Sequence, residues 1–211
     1  MSNMAVDSAR VDPDKALSRL LDGNRRFIAG NSSQPTGKLL VERRQALARN
    51  QNPFAVILGC SDSRVPPELV FDVTLGDLFV VRTAGEVIDT VALGSIEFAI
   101  EHLATRLVVV LGHQHCGAVS AAVSGASQIG EIQSLLTAIQ PVVEEAKDLS
   151  GDSIENAVRA NARNIAARLQ STAPIISPRV QGGEVKIVAA YYCLQTGQVE
   201  LLKEKGSSPS Q

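Results

Sequence analysis

Four short runs, at residues 54–59, 78–82, 107–112 and 186–193, are mostly apolar and β-branched. A strand with one solvated face would alternate apolar and polar residues. Continuous apolar runs of this length instead read as strands buried on both faces, the signature of a parallel sheet. Helical patterns fill the gaps: Leu93, Ile96, Ile100 and Leu103 share one helix face, as do Ile154, Val158, Ala162, Ile165 and Leu169. Strands alternating with helices predict an α/β fold whose sheet carries helices on both faces. Thr196-Gly197 predicts a hairpin turn into residues 198–202, an antiparallel edge strand.

The flanks follow other patterns. Leu17, Leu20, Leu21, Asn24, Phe27 and Ile28 have helical spacing after Asp12-Pro13, with Gly30 as the stop. A second helix is predicted over residues 39–48. These two helices cannot enclose a core alone. The reading is therefore one domain over residues 1–211: a helical arm at 1–50, an α/β core at 51–204 and a flexible polar tail at 205–211. The stretch 125–151 has the weakest pattern, and Pro141 is expected to break or kink any helix there.

Composition excludes several functions. A net charge of −2 leaves no electrostatic footprint for nucleic acid. The longest unbroken apolar run, residues 187–194, is too short to span a bilayer, so no membrane association is expected. Residues 1–14 are polar and lack the apolar core of a secretory signal. The chain has 3 cysteines, an odd number that argues against a disulfide framework and for a reducing, cytoplasmic location.

The cysteines carry the chemistry. Cys60 opens Cys60-Ser61-Asp62-Ser63-Arg64 directly after the first apolar run, and His113-Gln114-His115-Cys116 follows the third. In an open α/β sheet functional groups gather at the carboxyl ends of strands. Two thiolates and an imidazole suit Zn²⁺, and three protein ligands leave a fourth position open. If the two strands are neighbours, roughly 4.8 Å apart, Cys60, His113 and Cys116 can converge on one ion. The small residues Gly117, Ala118, Ser120, Ala121 and Ala122 suit a tight turn after the ligands. Asp62 and Arg64, two residues apart, project to the same side of an extended loop. Arg64 would orient Asp62 toward the metal, where Asp62 accepts a hydrogen bond or itself takes the fourth position. His115 is a weaker proton-shuttle candidate. His102 and Cys193 read as structural, and Tyr191 and Tyr192 as facing opposite ways, one in the core and the other at a pocket or interface.

Cys60-Ser-Asp-Ser-Arg64-Val65 with Gly112-His113-x-x-Cys116-Gly117 resembles the β-class carbonic anhydrases of bacterial type. The likeness extends from Leu20-Leu21-Asp22-Gly23-Asn24-Arg25-Arg26-Phe27 to Thr196-Gly197-Gln198-Val199. It includes Phe79-Val80-Val81-Arg82-Thr83-Ala84-Gly85 and Gly94-Ser95-Ile96-Glu97-Phe98-Ala99. The resemblance implies a mainly parallel sheet of four strands plus an antiparallel edge strand, in a homodimer or homotetramer whose N-terminal helices clasp the partner. It implies one Zn²⁺ per subunit on Cys60, His113 and Cys116, with Asp62 and Arg64 as the catalytic dyad. Gln51 would contact bicarbonate, Phe79 would wall the carbon dioxide pocket, and Ala84 and Gly117 would be small positions near the substrate. Phe98 stands where some members carry a tyrosine. The implied reaction is the reversible hydration of carbon dioxide to bicarbonate and a proton, by zinc-bound hydroxide. The absence of Trp separates the chain from a branch that uses one for bicarbonate regulation. Two readings compete: the same scaffold hydrolysing carbon disulfide or a similar substrate, and an inactive zinc protein within a larger assembly. Carboxysome association stays open.

Overall fold

The computed structural model describes residues 11–203; the polar tail expected beyond them lies outside this range. Five strands form one sheet: β1 (Ala55–Cys60), β2 (Leu78–Thr83), β3 (Leu107–His113), β4 (Lys186–Tyr192) and β5 (Val199–Leu202). Their spatial order is β2-β1-β3-β4-β5, with every pair parallel except the antiparallel β4–β5 edge. The helices are α1 (Pro13–Ile28), α2 (Gly37–Ala46), α3 (Pro67–Val70), α4 (Thr90–His102), α5 (Gly117–Ser124), α6 (Ile132–Ala146), α7 (Ser153–Ser171) and α8 (Ile176–Gln181). The α/β class, the parallel sheet and the antiparallel edge strand all appear as the sequence predicts.

The continuous apolar runs have the expected cause, since every residue of β1 and β3 is buried. Successive side chains feed opposite faces of the sheet. Val56, Leu58, Val108 and Val110 join the layer that holds Ile96, Ile139, Val158 and Ile165 from α4, α6 and α7. Ala55, Ile57, Leu107, Val109 and Leu111 join Ala16 and Leu20 of α1, Val70 of α3 and Phe71 just after it. Tyr191 and Tyr192 do face opposite layers, but both are buried in core, so neither lines an open pocket.

The two N-terminal helices behave differently. Asp12 caps α1 by accepting from the N–H groups of Asp14 and Lys15, and Pro13 opens the helix where its missing N–H costs nothing. α1 is docked on its own sheet. A Cβ on Gly23 would stand 1.7 Å from the Phe71 carbonyl oxygen, so only glycine allows this approach. At the next residue, buried Asn24 donates to the carbonyls of Val70 and Gly197 and accepts from Val199 N–H, joining α1 to α3 and to the β4–β5 hairpin. Arg26 pairs with buried Asp72, while Arg19 of α1 and Arg43 of α2 converge on Asp77. α2 has no buried residue and exposes Leu39, Leu40 and Val41.

Pro141 does not end its helix, because α6 runs through it. An interior proline costs roughly 3 kcal/mol. Leu136, Ile139, Val142 and Ala146 are buried on the same helix, and each large apolar side chain buried returns about 1.5–3 kcal/mol. Packing therefore outweighs the missing hydrogen bond.

Replacing Asn24 with alanine leaves two carbonyls and one N–H at the α1 docking site without their partner. Each buried group so stranded costs on the order of 1–3 kcal/mol. Asn24→Ala is expected to lower the urea midpoint of unfolding clearly while leaving the metal ligands intact; an unchanged midpoint would refute the docking role.

Candidate metal centre

β1 and β3 are direct neighbours in register, and the chain leaves β1 toward β2 on one side and takes up β3 on the other. That reversal makes a crevice at the carboxyl ends, where Cys60 ends β1 and His113 ends β3. Cys116 caps the start of α5. The turn between the ligands takes its left-handed residue at His115 (φ 54°), while a Cβ on Gly117 would meet nothing within 4 Å. Gly117 is thus not what closes the turn.

The ligand atoms of Cys60, His113 and Cys116 lie within 4.8 Å of one another, and all three residues are buried. The sulfurs are 3.9 Å apart, close to the edge of about 3.8 Å that a tetrahedron with zinc–sulfur bonds of about 2.3 Å requires. His113 Nδ1 lies 3.0 Å from the Gln114 carbonyl oxygen. A carbonyl only accepts, so Nδ1 carries the proton and the lone pair resides on Nε2. Nε2 is buried and has no hydrogen-bond partner among the described residues. A buried imidazole nitrogen left this way costs stability unless a cation takes the lone pair. The donor set and its geometry fit a zinc ion.

The surrounding charges polarise the thiols. Cys60 is pulled below the ordinary thiol range, chiefly by the Cys116 S–H, with His113 and the Gly85 N–H (3.3 Å from Sγ) adding to it against burial. Cys116 is pushed up by the Cys60 sulfur it serves, by burial and by the nearby Glu86. The two shifts run in opposite directions, so the pair favours a thiolate at Cys60 beside a thiol at Cys116.

Asp62 and Arg64 meet as their spacing predicts. Asp62 Oδ1 accepts from Arg64 Nε and from Arg64 N–H, both at 2.9 Å, and Oδ2 accepts from Nη2 at 2.7 Å. This guanidinium holds the carboxyl well below the usual carboxylate range. Oδ2 lies 3.9 Å from His113 Nε2, at the rim of the ligand cluster. Arg64 also donates to the His115 carbonyl. A residue that the spacing argument passed over braces the loop: Arg82 donates to the carbonyls of Cys60 (2.8 Å) and Asp62 (2.6 Å).

The remaining candidates scatter. Ala84 opens the turn that carries Gly85 onto Cys60. Phe79 packs on the core layer containing Cys60, with its ring centroid 6.5 Å from that of half-exposed Phe98. Gln51 is exposed just ahead of β1, and Gly117 is exposed at the start of α5. His115 is exposed, and exposed His102 packs tilted against Phe98, with ring centroids 4.9 Å apart. Cys193 is only partly buried and donates to Gln114 Oε1. Sequence reasoning also missed Glu86, fully buried beside Gly85, and Asn161 on α7. Asn161 had a signal, a polar residue at helical spacing between Val158 and Ile165 on an apolar face.

Among the described residues no helix is long and apolar enough to cross a membrane. The profile of the carbonic anhydrase family matches residues 55–199. Carbonic anhydrase 2 of Mycobacterium tuberculosis is 39% identical over 201 residues, covering 93% of this chain and 96% of that protein. The solved β-carbonic anhydrase CcaA superposes with a TM-score of 0.70 at 28% identity, covering 89% of this chain and 95% of the other. CafA, a β-carbonic anhydrase of Aspergillus fumigatus, gives 0.71 at 27% identity and 92% of each chain.

Metal uptake has a proton signature. Since Cys60 favours the thiolate and Cys116 the thiol, loading a divalent metal near neutral pH should expel the Cys116 proton. Calorimetric titration of metal-free protein in buffers of different ionisation enthalpy reads this directly. Heats that do not depend on the buffer would contradict the thiolate–thiol pair.

Proposed function

The chain belongs to the β-class carbonic anhydrases, and from that premise we propose that it catalyses reversible hydration of carbon dioxide at a zinc ion held by Cys60, His113 and Cys116. The observation that carries this reading is the Asp62 carboxylate, gripped on both oxygens by Arg64 and aimed past His113 Nε2. A purely structural Cys₂His site has no use for an ionised carboxylate at its rim.

Zinc, when bound, would lower the pKa of a water in its open position toward neutrality and neutralise charge as it develops. The protein groups then have separate tasks. Asp62, ionised by its pairing with Arg64, can only accept hydrogen bonds. It therefore accepts from the attacking water and fixes the direction of the oxygen lone pair. Arg64 has its guanidinium committed to Asp62 and the His115 carbonyl, so the carboxylate has one favoured orientation. Phe79 pairs with Val56, toward the far end of β1 from Cys60, so Phe79 and the Phe98 beside it would offer an apolar wall to an uncharged substrate only in the site of a partner subunit. Ala84 and Gly117 leave room beside the ligands. Gln51 precedes β1, at the opposite end from Cys60, so its amide would donate to a bicarbonate oxygen, where negative charge appears, only in the site of a partner subunit.

The active form is a homodimer or homotetramer in the cytoplasm. Exposed Leu39, Leu40 and Val41 on α2, with Val91 and Phe98 on α4, supply apolar surface for assembly.

Stopped-flow hydration of carbon dioxide by zinc-quantified protein, beside Asp62→Ala, tests the reaction and the dyad together. Fast hydration is expected in the parent. The variant should lose about 10²- to 10⁴-fold at unchanged zinc content. A fully loaded parent that hydrates no carbon dioxide would reject the reaction, and a fully active Asp62→Ala would reject the dyad.

A further inference from the structure

Behind the ligand cluster lies a buried polar group that the reaction does not use. Glu86 is 0% exposed; one carboxyl oxygen, Oε1, accepts from Asn161 Nδ2 at 3.3 Å, and Oε2 has no partner among the described residues. Glu86 and its neighbour Gly85 both have left-handed backbones, at φ 44° and 66°. For a glutamate that conformation costs free energy and persists only where the surroundings enforce it. The surroundings are visible. Asn161 Nδ2 also donates to the Gly85 carbonyl at 2.9 Å, so one amide holds both residues of the turn. Oε1 would lie 3.4 Å from a Cβ on Gly112, the residue before His113, and a Cβ on Gly85 would strike Ile139 at 2.8 Å. The turn is thus wedged between β3, α6 and α7, and its outward N–H, that of Gly85, points at Cys60 Sγ.

We infer that Asn161 and Glu86 are positioning residues for the metal centre: they clamp the Ala84–Glu86 turn from behind so that the Gly85 N–H stays on the Cys60 sulfur. An N–H donated to a thiolate withdraws electron density from it, so this contact sets how much charge Cys60 passes to a bound metal. The clamp explains why an amide and a carboxyl occupy an otherwise apolar layer. Burial pushes the Glu86 carboxyl up, with the Cys60 charge adding to it; the clamp itself rests on the shape of the group and its hydrogen bond to Asn161. The inference rests on the proposed metal ligation but not on the proposed reaction.

The test uses cobalt(II) in place of zinc on the full-length protein. Asn161→Ala and Glu86→Ala remove the two halves of the clamp, and Glu86→Gln retains an acceptor oxygen for Asn161. Asn24→Ala serves as a control, a buried asparagine of equal exposure on the opposite layer. Losing the Gly85 contact should move the thiolate-to-cobalt charge-transfer band to longer wavelength. It should also weaken cobalt binding, measured by chelator competition, by about 10- to 100-fold. Glu86→Gln should restore both toward the parent, and Asn24→Ala should move neither. If one alanine variant fails to fold, the other carries the same comparison. Parental bands and affinity in a folded clamp variant, or an equal shift in Asn24→Ala, would overturn the inference. A parent with normal cobalt bands but no carbon dioxide hydration would reject the reaction and leave the clamp standing.

Discussion

The parallel pairing of β1 with β3 is the constraint on which the rest depends. Four residues of each strand are in register, from Val56 with Val108 to Gly59 with Leu111. Both strands are buried on both faces, so neither can slip by one residue without exchanging the two core layers. This locked register delivers Cys60 and His113 to the same end of the sheet at adjacent positions. Because the chain then leaves in opposite directions, no helix crosses over that end. Cys116 needs only the short turn after His113 to join them.

A metal site built this way takes its precision from the backbone. Carbonyls and N–H groups of the loops serve as anchors throughout: Gln114 fixes the imidazole, His115 receives Arg64, and Cys60 and Asp62 receive Arg82. The loop after β1 is therefore held from both of its neighbours. Arg82 reaches it from β2, and Arg64 ties it to the turn after β3. The opposite layer uses another device. There, ion pairs at Asp72 and Asp77 and the amide of Asn24 fasten α1 to the sheet, and its helix packs through glycine closely enough to touch the backbone beside α3.

Legibility varied with the range of the interaction. Strand positions could be read because burial on both faces writes a continuous apolar run. The ligand triad could be read because its residues are rare and occupy equivalent places after two such runs, and the Asp62–Arg64 pair is local. The failures were of another kind. Pro141 is expected to break or kink a helix; the helix is not broken, because the packing of Leu136, Ile139 and Val142 against other helices carries α6 through it. Tyr192 was open to a pocket reading until α1 covered its side of the sheet. Gly117 and its small neighbours suit a tight turn, but the residue that takes the left-handed backbone there is His115. Arg82 reaches Cys60 and Asp62 across 22 and 20 positions in the chain, and Asn161 reaches Gly85 and Glu86 across 76 and 75, and no local spacing reports that.

By itself, then, the sequence determined the class of fold, the order of its strands along the chain and the three residues able to bind a metal. Those follow from periodicity and from the chemistry of side chains, which are properties of short segments. Only the tertiary structure decided which strands are neighbours, which oxygen of Asp62 faces His113, and which buried amide stands behind Cys60. Those depend on distances between segments remote in the chain, set when two apolar layers close on one sheet and every polar group caught between them must find a partner.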